Sequence, residues 1–149
     1  MFLSQKTPFY YIACLFVFFF GGLFQPGDWY EGLTRAPWNP PNIVFPIAWT
    51  ALYTLIAIAG HQAAKSRDVR LISIWWAQLL VNASWSWVFF HQHWVLVGLI
   101  ILITLLFLIG WFIVRSYKLS LTLPALLMTP YLFWVCLACS LNLYIYLYN

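Results

Sequence analysis

Polar side chains that could bind a ligand recur along one apolar segment of the chain. Gln78, Asn82 and Ser86 are spaced at i, i+4 and i+8, so a helix carries them as one stripe. Trp85 and Phe89 flank this stripe. A polar side chain in such a setting either hydrogen-bonds a neighbouring helix or contacts a ligand. We interpret Gln78 as a helix contact and Asn82, which lies among aromatic residues, as a ligand contact.

Two other apolar segments carry aromatic residues that could complete the same site. In the second apolar segment Trp49 and Tyr53 share one helix face. In the fifth segment Trp134 and Asn142 share a face, and Tyr131 lies one turn before Trp134. We interpret Asn142, like Gln78, as a contact between helices. Aromatic walls suit a planar ligand through offset stacking. The predicted walls are formed by Trp49, Tyr53, Trp85, Phe89, Tyr131 and Trp134.

Residues that resemble redox, metal or hydrolytic sites are better explained as packing. Cys136 and Cys139 have CxxC spacing, but they lie inside an apolar segment where a thiolate is unfavourable. His91 and His93 have no nearby Cys or carboxylate, so we expect no metal site. The apolar segments contain no nucleophile–base pair and no carboxylate pair. Hydrolase and glycosidase chemistry is therefore not expected.

The composition places these residues in a membrane. Of the 149 residues 64% are hydrophobic and 7% are charged, whereas soluble domains average about 25% charged residues. This composition excludes a soluble enzyme, a disordered chain and a nucleic-acid-binding domain. The formal charge of +4 comes from seven Lys and Arg residues that are spread along the chain and form no patch.

Five apolar segments are long enough to be membrane spans. A helix needs about 20 residues to cross a hydrocarbon core of about 30 Å. The sequence therefore predicts an all-α integral membrane protein, a five-transmembrane-helix bundle in a single domain over residues 1–149. The predicted spans are approximately 9–24, 43–64, 71–90, 94–114 and 121–148.

The basic residues predict the orientation of this bundle. With five spans, six of the seven Lys and Arg residues share one side of the membrane, and Arg35 lies on the other. The positive-inside rule then places the N-terminus in the cytoplasm and the C-terminus outside. The six residues are Lys6, Lys65, Arg67, Arg70, Arg115 and Lys118.

The connection over residues 25–41, QPGDWYEGLTRAPWNPP, is predicted to be a lid on the non-cytoplasmic side. Its Pro-Trp-Asn-Pro-Pro stretch is stiff because proline restricts the backbone, and a short amphipathic turn over residues 29–34 could cover the bundle mouth. The alternative is an aromatic belt at the membrane interface. Arg35 either holds ligand carboxylates, pairs with Asp28 or Glu31, or anchors the lid to lipid phosphates.

Three blocks of this sequence resemble one family over nearly the whole chain. WYEGLTRAPWNPPNIVFPIAWTALY, QLLVNASWSWVFF and PYLFWVCLACSLNLYIYLYN are similar to the tryptophan-rich sensory protein and translocator protein (TspO/MBR) family, whose architecture has five spans. The chain departs from the family pattern at two points: Pro37 stands directly before Trp38 without an intervening residue, and the fourth span lacks the acid that many relatives carry. In addition, nothing after Lys118 is charged, so the sterol motif of animal members is absent.

The resemblance implies a porphyrin-binding pocket. Relatives bind protoporphyrin IX, haem and synthetic isoquinoline carboxamides, and residues matching the family pattern are Tyr30, Pro40, Trp49, Asn82 and Trp134. Together with the residues identified above, the predicted ligand-binding set is Tyr30, Arg35, Pro40, Trp49, Tyr53, Asn82, Trp85, Phe89, Tyr131 and Trp134.

The leading functional hypothesis is a membrane receptor or sensor of tetrapyrroles with a regulatory or stress-response role. The alternatives are a transporter of porphyrins or other lipophilic ligands, an assembly partner of another membrane complex, and a light-dependent porphyrin-degrading enzyme that uses Trp134 as its redox-active residue. We expect a homodimer in contact with lipid, in a bacterial cell membrane, with porphyrin or haem as ligand and no obligatory cofactor.

Overall fold

The computed structural model describes residues 7–149, and its regular secondary structure in this range is helical, without strands. Lys6, one of the six basic residues used to predict the orientation, lies outside the described residues. The helices are α1 (Thr7–Gly22), α2 (Asp28–Glu31), α3 (Val44–Lys65), α4 (Val69–Ser86), α5 (Val95–Lys118) and α6 (Thr122–Tyr148), and α4 continues into a π-helical turn at Trp87–His91. The prediction of an all-α membrane protein is confirmed.

The described part of the chain has one helix more than the five that the sequence predicts. Five helices correspond to the predicted spans, and the described chain has a sixth, α2, within the lid. This helix has only four residues, Asp28–Glu31, between the cap residues Gly27 and Gly32. By length and hydropathy α3, α5 and α6 can each cross a membrane, and Pro8–Gly22 is a shorter apolar helix.

The long helices form a ring. Helix α1 packs against α3 and α4, and α6 packs against α3 and α5, while α4 and α5 close the ring. Where α3 meets α4, a Cβ atom at Gly60 would lie 2.4 Å from the Trp75 ring, so only glycine leaves room for this indole. The Trp75 Nε1–H donates to the Ile56 carbonyl oxygen over 2.9 Å. This half of the bundle is closely packed.

A salt bridge closes the packed end of the bundle. Asp68 caps α4 by accepting a hydrogen bond from the Leu71 amide (2.7 Å), and its Oδ2 lies 2.6 Å from Arg115 Nη2. The hydrogen bond from Arg115 lowers the pKa of the Asp68 carboxyl. This contact brings the α3–α4 and α5–α6 connections to the same end, so the basic residues of both connections share one side, as predicted.

The opposite end carries the lid and the end of α6. The Thr34 amide donates to Asn149 Oδ1 (2.8 Å), and Asn149 Nδ2 donates to the Thr34 carbonyl oxygen (3.2 Å). The Trp38 Nε1–H donates to Ser140 Oγ over 3.1 Å. These hydrogen bonds fasten residues 25–41 across the end of the bundle that lies away from the salt bridge.

Candidate functional site

A cavity of about 690 Å³ lies in the lid half of the bundle. Ligand pockets for small molecules measure about 300–1,000 Å³. The cavity is bounded by the last turns of α1, the lid, the first turns of α3, the second half of α4 with its π-helical turn, and α6. Because the other half of the bundle is filled by large side chains such as Trp75 and Met128, the helices enclose this space only near the lid.

The structure brings most of the predicted site residues together around this cavity. The eight that line it are Tyr30, Arg35, Trp49, Tyr53, Asn82, Trp85, Phe89 and Trp134. Tyr131 and Pro40 do not line it. Tyr131 is fully buried one turn below Trp134, with its ring 6.3 Å from that of Trp49, so it supports the wall from behind. Pro40 accepts a hydrogen bond from the Asn39 side chain within the lid.

Two groups of aromatic rings form the cavity walls. Trp85 and Phe89 stack with centroids 5.1 Å apart and planes at 11°, which presents a flat surface on the α4 side. On the opposite side Trp49 meets Trp134 edge to face, with centroids 6.3 Å apart and planes at 84°. Tyr53 packs against Trp49 at 5.5 Å and extends this wall towards the packed half. The lining of the cavity is mostly apolar.

The π-helical turn Trp87–His91 gives the α4 wall its shape. Phe89 and Phe90 both line the cavity although they are adjacent in sequence. Both rings also contact Tyr30 of the lid, at 6.2 and 5.5 Å between centroids. Single π-helical turns occur often at functional sites because they change the direction of side chains locally. Sequence periodicity did not predict this turn.

The lid also packs on the end of α4 through Trp29, which contacts Phe89 of the π-helical turn and His93 just after it. Trp29 stacks on His93, with centroids 4.1 Å apart and planes at 13°, and it meets Phe89 edge to face at 5.6 Å. His91 instead contacts Phe24, two residues beyond the end of α1. Within residues 7–149 no group of three or more His, Cys, Asp or Glu side chains could hold a metal ion.

Arg35 supplies the positive charge at the cavity. Its guanidinium lies 5.5 Å from the centroid of the Tyr30 ring, a cation–π distance. Burial raises the pKa of the Tyr30 hydroxyl, and the nearby Arg35 opposes this shift. In the described part of the chain the only salt bridge is that between Arg115 and Asp68. Pairing of Arg35 with Asp28 or Glu31, one of the interpretations above, is therefore not observed.

Several buried polar atoms that belong to cavity-lining residues have no partner among the described residues. These are Asn82 Nδ2, Trp85 Nε1, and both the Oδ1 and Nδ2 atoms of Asn142. Gln78 also has an unpartnered amide, but it lies outside the cavity lining. From the sequence we interpreted Asn142 as a contact between helices, whereas the structure places it among the residues that line the cavity. Its helical spacing from Trp134 was the sequence signal that indicated this position.

Other lining residues escaped sequence reasoning because nothing in their local pattern separates them from lipid-facing residues. Phe18 in α1 and Phe45 and Pro46 at the start of α3 belong to this group. Helix α5 contributes Leu102. Their positions depend on how the helices pack in the ring.

The fold and the cavity together define a helical integral membrane protein built around an aromatic, lidded cavity near one end of its bundle. The sequence model of the TspO/MBR family matches residues 10–147, and the chain belongs to this family.

Several curated relatives are similar to the chain over most of their length. Protein CrtK of Rhodobacter capsulatus is 31% identical over 94% of this chain and 90% of its own length. The tryptophan-rich sensory protein of Cereibacter sphaeroides is 32% identical over 82% of this chain and 77% of its own. The tryptophan-rich protein TspO of Archaeoglobus fulgidus is 36% identical over 93% of both chains.

Proposed function

We propose that the protein is a membrane receptor that binds a planar, tetrapyrrole-like ligand in the lidded cavity and reports its level in a regulatory or stress response. The observation that carries this proposal is the pair of facing aromatic walls, Trp85–Phe89 and Trp49–Trp134, below a lid with a single cation. A relative named as a sensory protein supports the regulatory part.

The walls favour a flat aromatic ligand. Aromatic pairs prefer offset or edge-to-face arrangements, and a planar macrocycle between the walls could stack on Trp85 and Phe89 while the edge of Trp49 or Trp134 meets its other surface. A flexible aliphatic chain would also be buried here, but it could not make these stacking and edge-to-face contacts. The proposed ligand class is therefore protoporphyrin IX, haem or a similar planar molecule.

The distribution of charge favours a ligand whose carboxylates stay at the lid. Among the described residues that line the cavity, Arg35 is the only Lys or Arg, and Glu31 is the only acid. A carboxylate placed between the aromatic walls would be buried without a counter-charge, which is strongly unfavourable. The propionates of a porphyrin would instead lie beside Arg35, at the mouth.

The lid offers a route from ligand binding to a signal. Tyr30 and Arg35 line the cavity, and the same segment is bonded through Thr34 to Asn149 at the end of α6. A ligand that contacts the lid and the walls would favour the closed lid over more open conformations, because only the closed form makes both contacts. The position of the lid would then report occupancy to a partner on the same side.

We also propose that all five long helices cross a bacterial cell membrane, with the two basic connections in the cytoplasm and the lid outside. The separation of the basic connections from the lid supports this arrangement. The predicted homodimer stays a prediction.

The test of the proposed function is a titration of protoporphyrin IX against intrinsic tryptophan fluorescence in lipid nanodiscs. The wild-type protein should show saturable quenching. Trp49→Ala should raise the Kd about tenfold or more, because it removes part of one wall. Trp111→Ala is the matched control, since Trp111 is 47% exposed on the outer surface and outside the cavity lining.

Two results would contradict the proposal. The first is an absence of saturable quenching in the wild type. The second is an equal Kd for Trp49→Ala and Trp111→Ala, which would place porphyrin on the lipid-facing surface instead of in the cavity.

A further inference from the structure

We infer that the end of the bundle opposite the lid carries a second binding site, which takes the phosphate group of an anionic phospholipid. The site is a cavity between the end of α3 and the start of α6, and Lys65 supplies its positive charge. Its lining shares no residue with the lidded cavity in the described chain, so this inference goes beyond the proposed function and does not depend on the porphyrin.

The first observation is a polar cavity in a chain that is mostly apolar. A cavity of about 400 Å³ lies where the last turn of α3 meets the α5–α6 connection and the first turn of α6. Ammonium, hydroxyl and amide groups donate hydrogen bonds to phosphate oxygens. Five of the eight described lining residues carry such a group, and none of the eight is acidic. The five are Gln62, Lys65, Ser66, Ser120 and Thr122.

The second observation is an imbalance of charge around this cavity. At this end the described chain carries five Lys and Arg residues and one acid, Asp68. Asp68 is already paired with Arg115 in the one salt bridge of the described residues. Lys65 is exposed and has no acidic partner among them. A ligand that brings a negative charge would balance the ammonium group, whereas a neutral or cationic ligand would not.

The helix ends that border the cavity do not decide its charge. The start of α6 presents backbone N–H groups and a partial positive charge, but the end of α3 presents carbonyl groups and a partial negative charge. Because these partial charges are similar in size and opposite in sign, they largely cancel in the cavity between them. The full charge of Lys65 therefore determines that the site prefers an anion.

Hydrogen bonds hold both sides of the cavity in place. Ser120 has a left-handed φ of 60°, and the Leu121 amide donates to the Ser116 carbonyl oxygen over 2.8 Å, so the α5–α6 connection is a tight turn. On the α3 side the Ser66 hydroxyl donates to the Ala63 carbonyl oxygen over 2.6 Å. Because this bond uses the Ser66 proton, the other four polar side chains are the donors for a ligand. The site is preformed, so a ligand does not have to order the turn as it binds.

The position of the cavity favours a phospholipid over a free phosphate ester. Lys65 ends α3 and Thr122 begins α6, and both helices are long and apolar enough to cross a membrane. The ends of such helices lie at the level of the lipid headgroups. Leu123, which also lines the cavity, is 51% exposed and offers an apolar surface for an acyl chain. Basic pockets between transmembrane helices are typical sites for anionic headgroups.

The test measures the binding of three probes by native mass spectrometry of the purified protein in detergent. Dioleoyl phosphatidylglycerol has the phosphate and the acyl chains, dioleoylglycerol has only the chains, and glycerol phosphate has only the phosphate. We expect the first equivalent of phosphatidylglycerol to bind at least about fivefold tighter than either other probe, because it alone contacts both the polar and the apolar lining. Equal binding of dioleoylglycerol would overturn the phosphate site, and equal binding of glycerol phosphate would overturn the assignment to a lipid.

Substitution of Lys65 tests the source of the positive charge. Lys65→Gln should raise the Kd for phosphatidylglycerol about fivefold, and Lys65→Arg, which keeps the charge, should stay within about twofold of wild type. Lys118→Gln is the matched control, since Lys118 is an exposed lysine at the same end and lies outside the described lining. Its Kd should also stay within about twofold of wild type. An equal rise for Lys65→Gln and Lys118→Gln would indicate attraction to the basic surface as a whole and would overturn the site.

A measurement on the wild-type protein does not depend on the folding of a variant. Saturation with phosphatidylglycerol should slow the reaction of Lys65 with an amine-reactive label and leave the rate at Lys118 unchanged, and peptide mass spectrometry reads both positions in one sample. Equal protection of both lysines, or protection of neither, would overturn the inference. Because the lidded cavity lies at the other end of the bundle, such a result would leave the receptor proposal standing.

Discussion

Replacement of Arg35 by glutamine tests how the cavity holds an anionic ligand. Arg35 lies at the mouth of the cavity, 5.5 Å from the centroid of the Tyr30 ring, and has no salt bridge with Asp28 or Glu31 in the described structure. Its charge is therefore not committed to an acidic side chain of the protein. We expect Arg35→Gln to weaken the binding of porphyrins that carry free propionates.

The expected magnitude follows from the exposure of the site. A fully exposed ion pair contributes about 0–1 kcal/mol, and a hydrogen bond to a charged group in a partly desolvated position contributes about 1.5–3 kcal/mol. Arg35 is exposed on its solvent side and lines the cavity on the other. We take a value of about 1.5 kcal/mol, near the bottom of the higher range, which corresponds to about a tenfold increase in Kd.

The assay measures the Kd of protoporphyrin IX and of its dimethyl ester by tryptophan quenching. Arg35→Gln should lose about tenfold in affinity for the free acid and little for the ester, because only the acid offers a carboxylate. Arg35→Lys is the control that keeps the positive charge, and it should lose less than Arg35→Gln. An equal loss for acid and ester would indicate lid disruption through Tyr30, and no loss for either ligand would refute the role of Arg35.

Two further predictions concern the bundle itself. Gly60→Ala should destabilise the protein by about 1–3 kcal/mol because the added Cβ would lie 2.4 Å from the Trp75 ring. Gly110→Ala, where no atom lies within 4 Å of the added Cβ, should be neutral or slightly stabilising. Thermal unfolding of both variants in the same detergent checks this, and equal unfolding temperatures would contradict the close packing of Gly60 against Trp75. In intact cells and a background without the native cysteines, a membrane-impermeant maleimide should label Gly27→Cys in the lid and not Thr122→Cys at the start of α6; the reverse pattern would invert the orientation.

Much of the fold follows from local sequence because a bilayer restricts the backbone strongly. A hydrocarbon environment requires backbone hydrogen bonds to be made within each segment, so long apolar stretches become helices whatever their neighbours are. The one-turn spacing of Asn82, Trp85 and Phe89 likewise predicted their common face, since helical periodicity is a local property. The stiff, aromatic composition of residues 25–41 predicted a structured connection.

The tertiary structure decided how these faces meet. Helical spacing placed Tyr131 and Trp134 near each other, but only the crossing of α3 and α6 makes Trp134 line the cavity and buries Tyr131 behind it. Asn142 reads from sequence like any polar contact between helices. Its place among the residues of the cavity depends on how α6 packs against α5, where a Cβ atom at Gly98 would lie 3.2 Å from Asn142 Nδ2.

The lid and the π-helical turn show the same division. Sequence showed that Arg35 is the basic residue of the lid, yet its contact with the Tyr30 ring and not with a nearby acid depends on the path of the folded loop. The turn at Trp87–His91 adds a residue to one helical turn, and no local pattern marks it. Periodicity records which residues share a face of one helix, whereas the cavity arises from distances between helices, and those are fixed only when all the side chains pack at once.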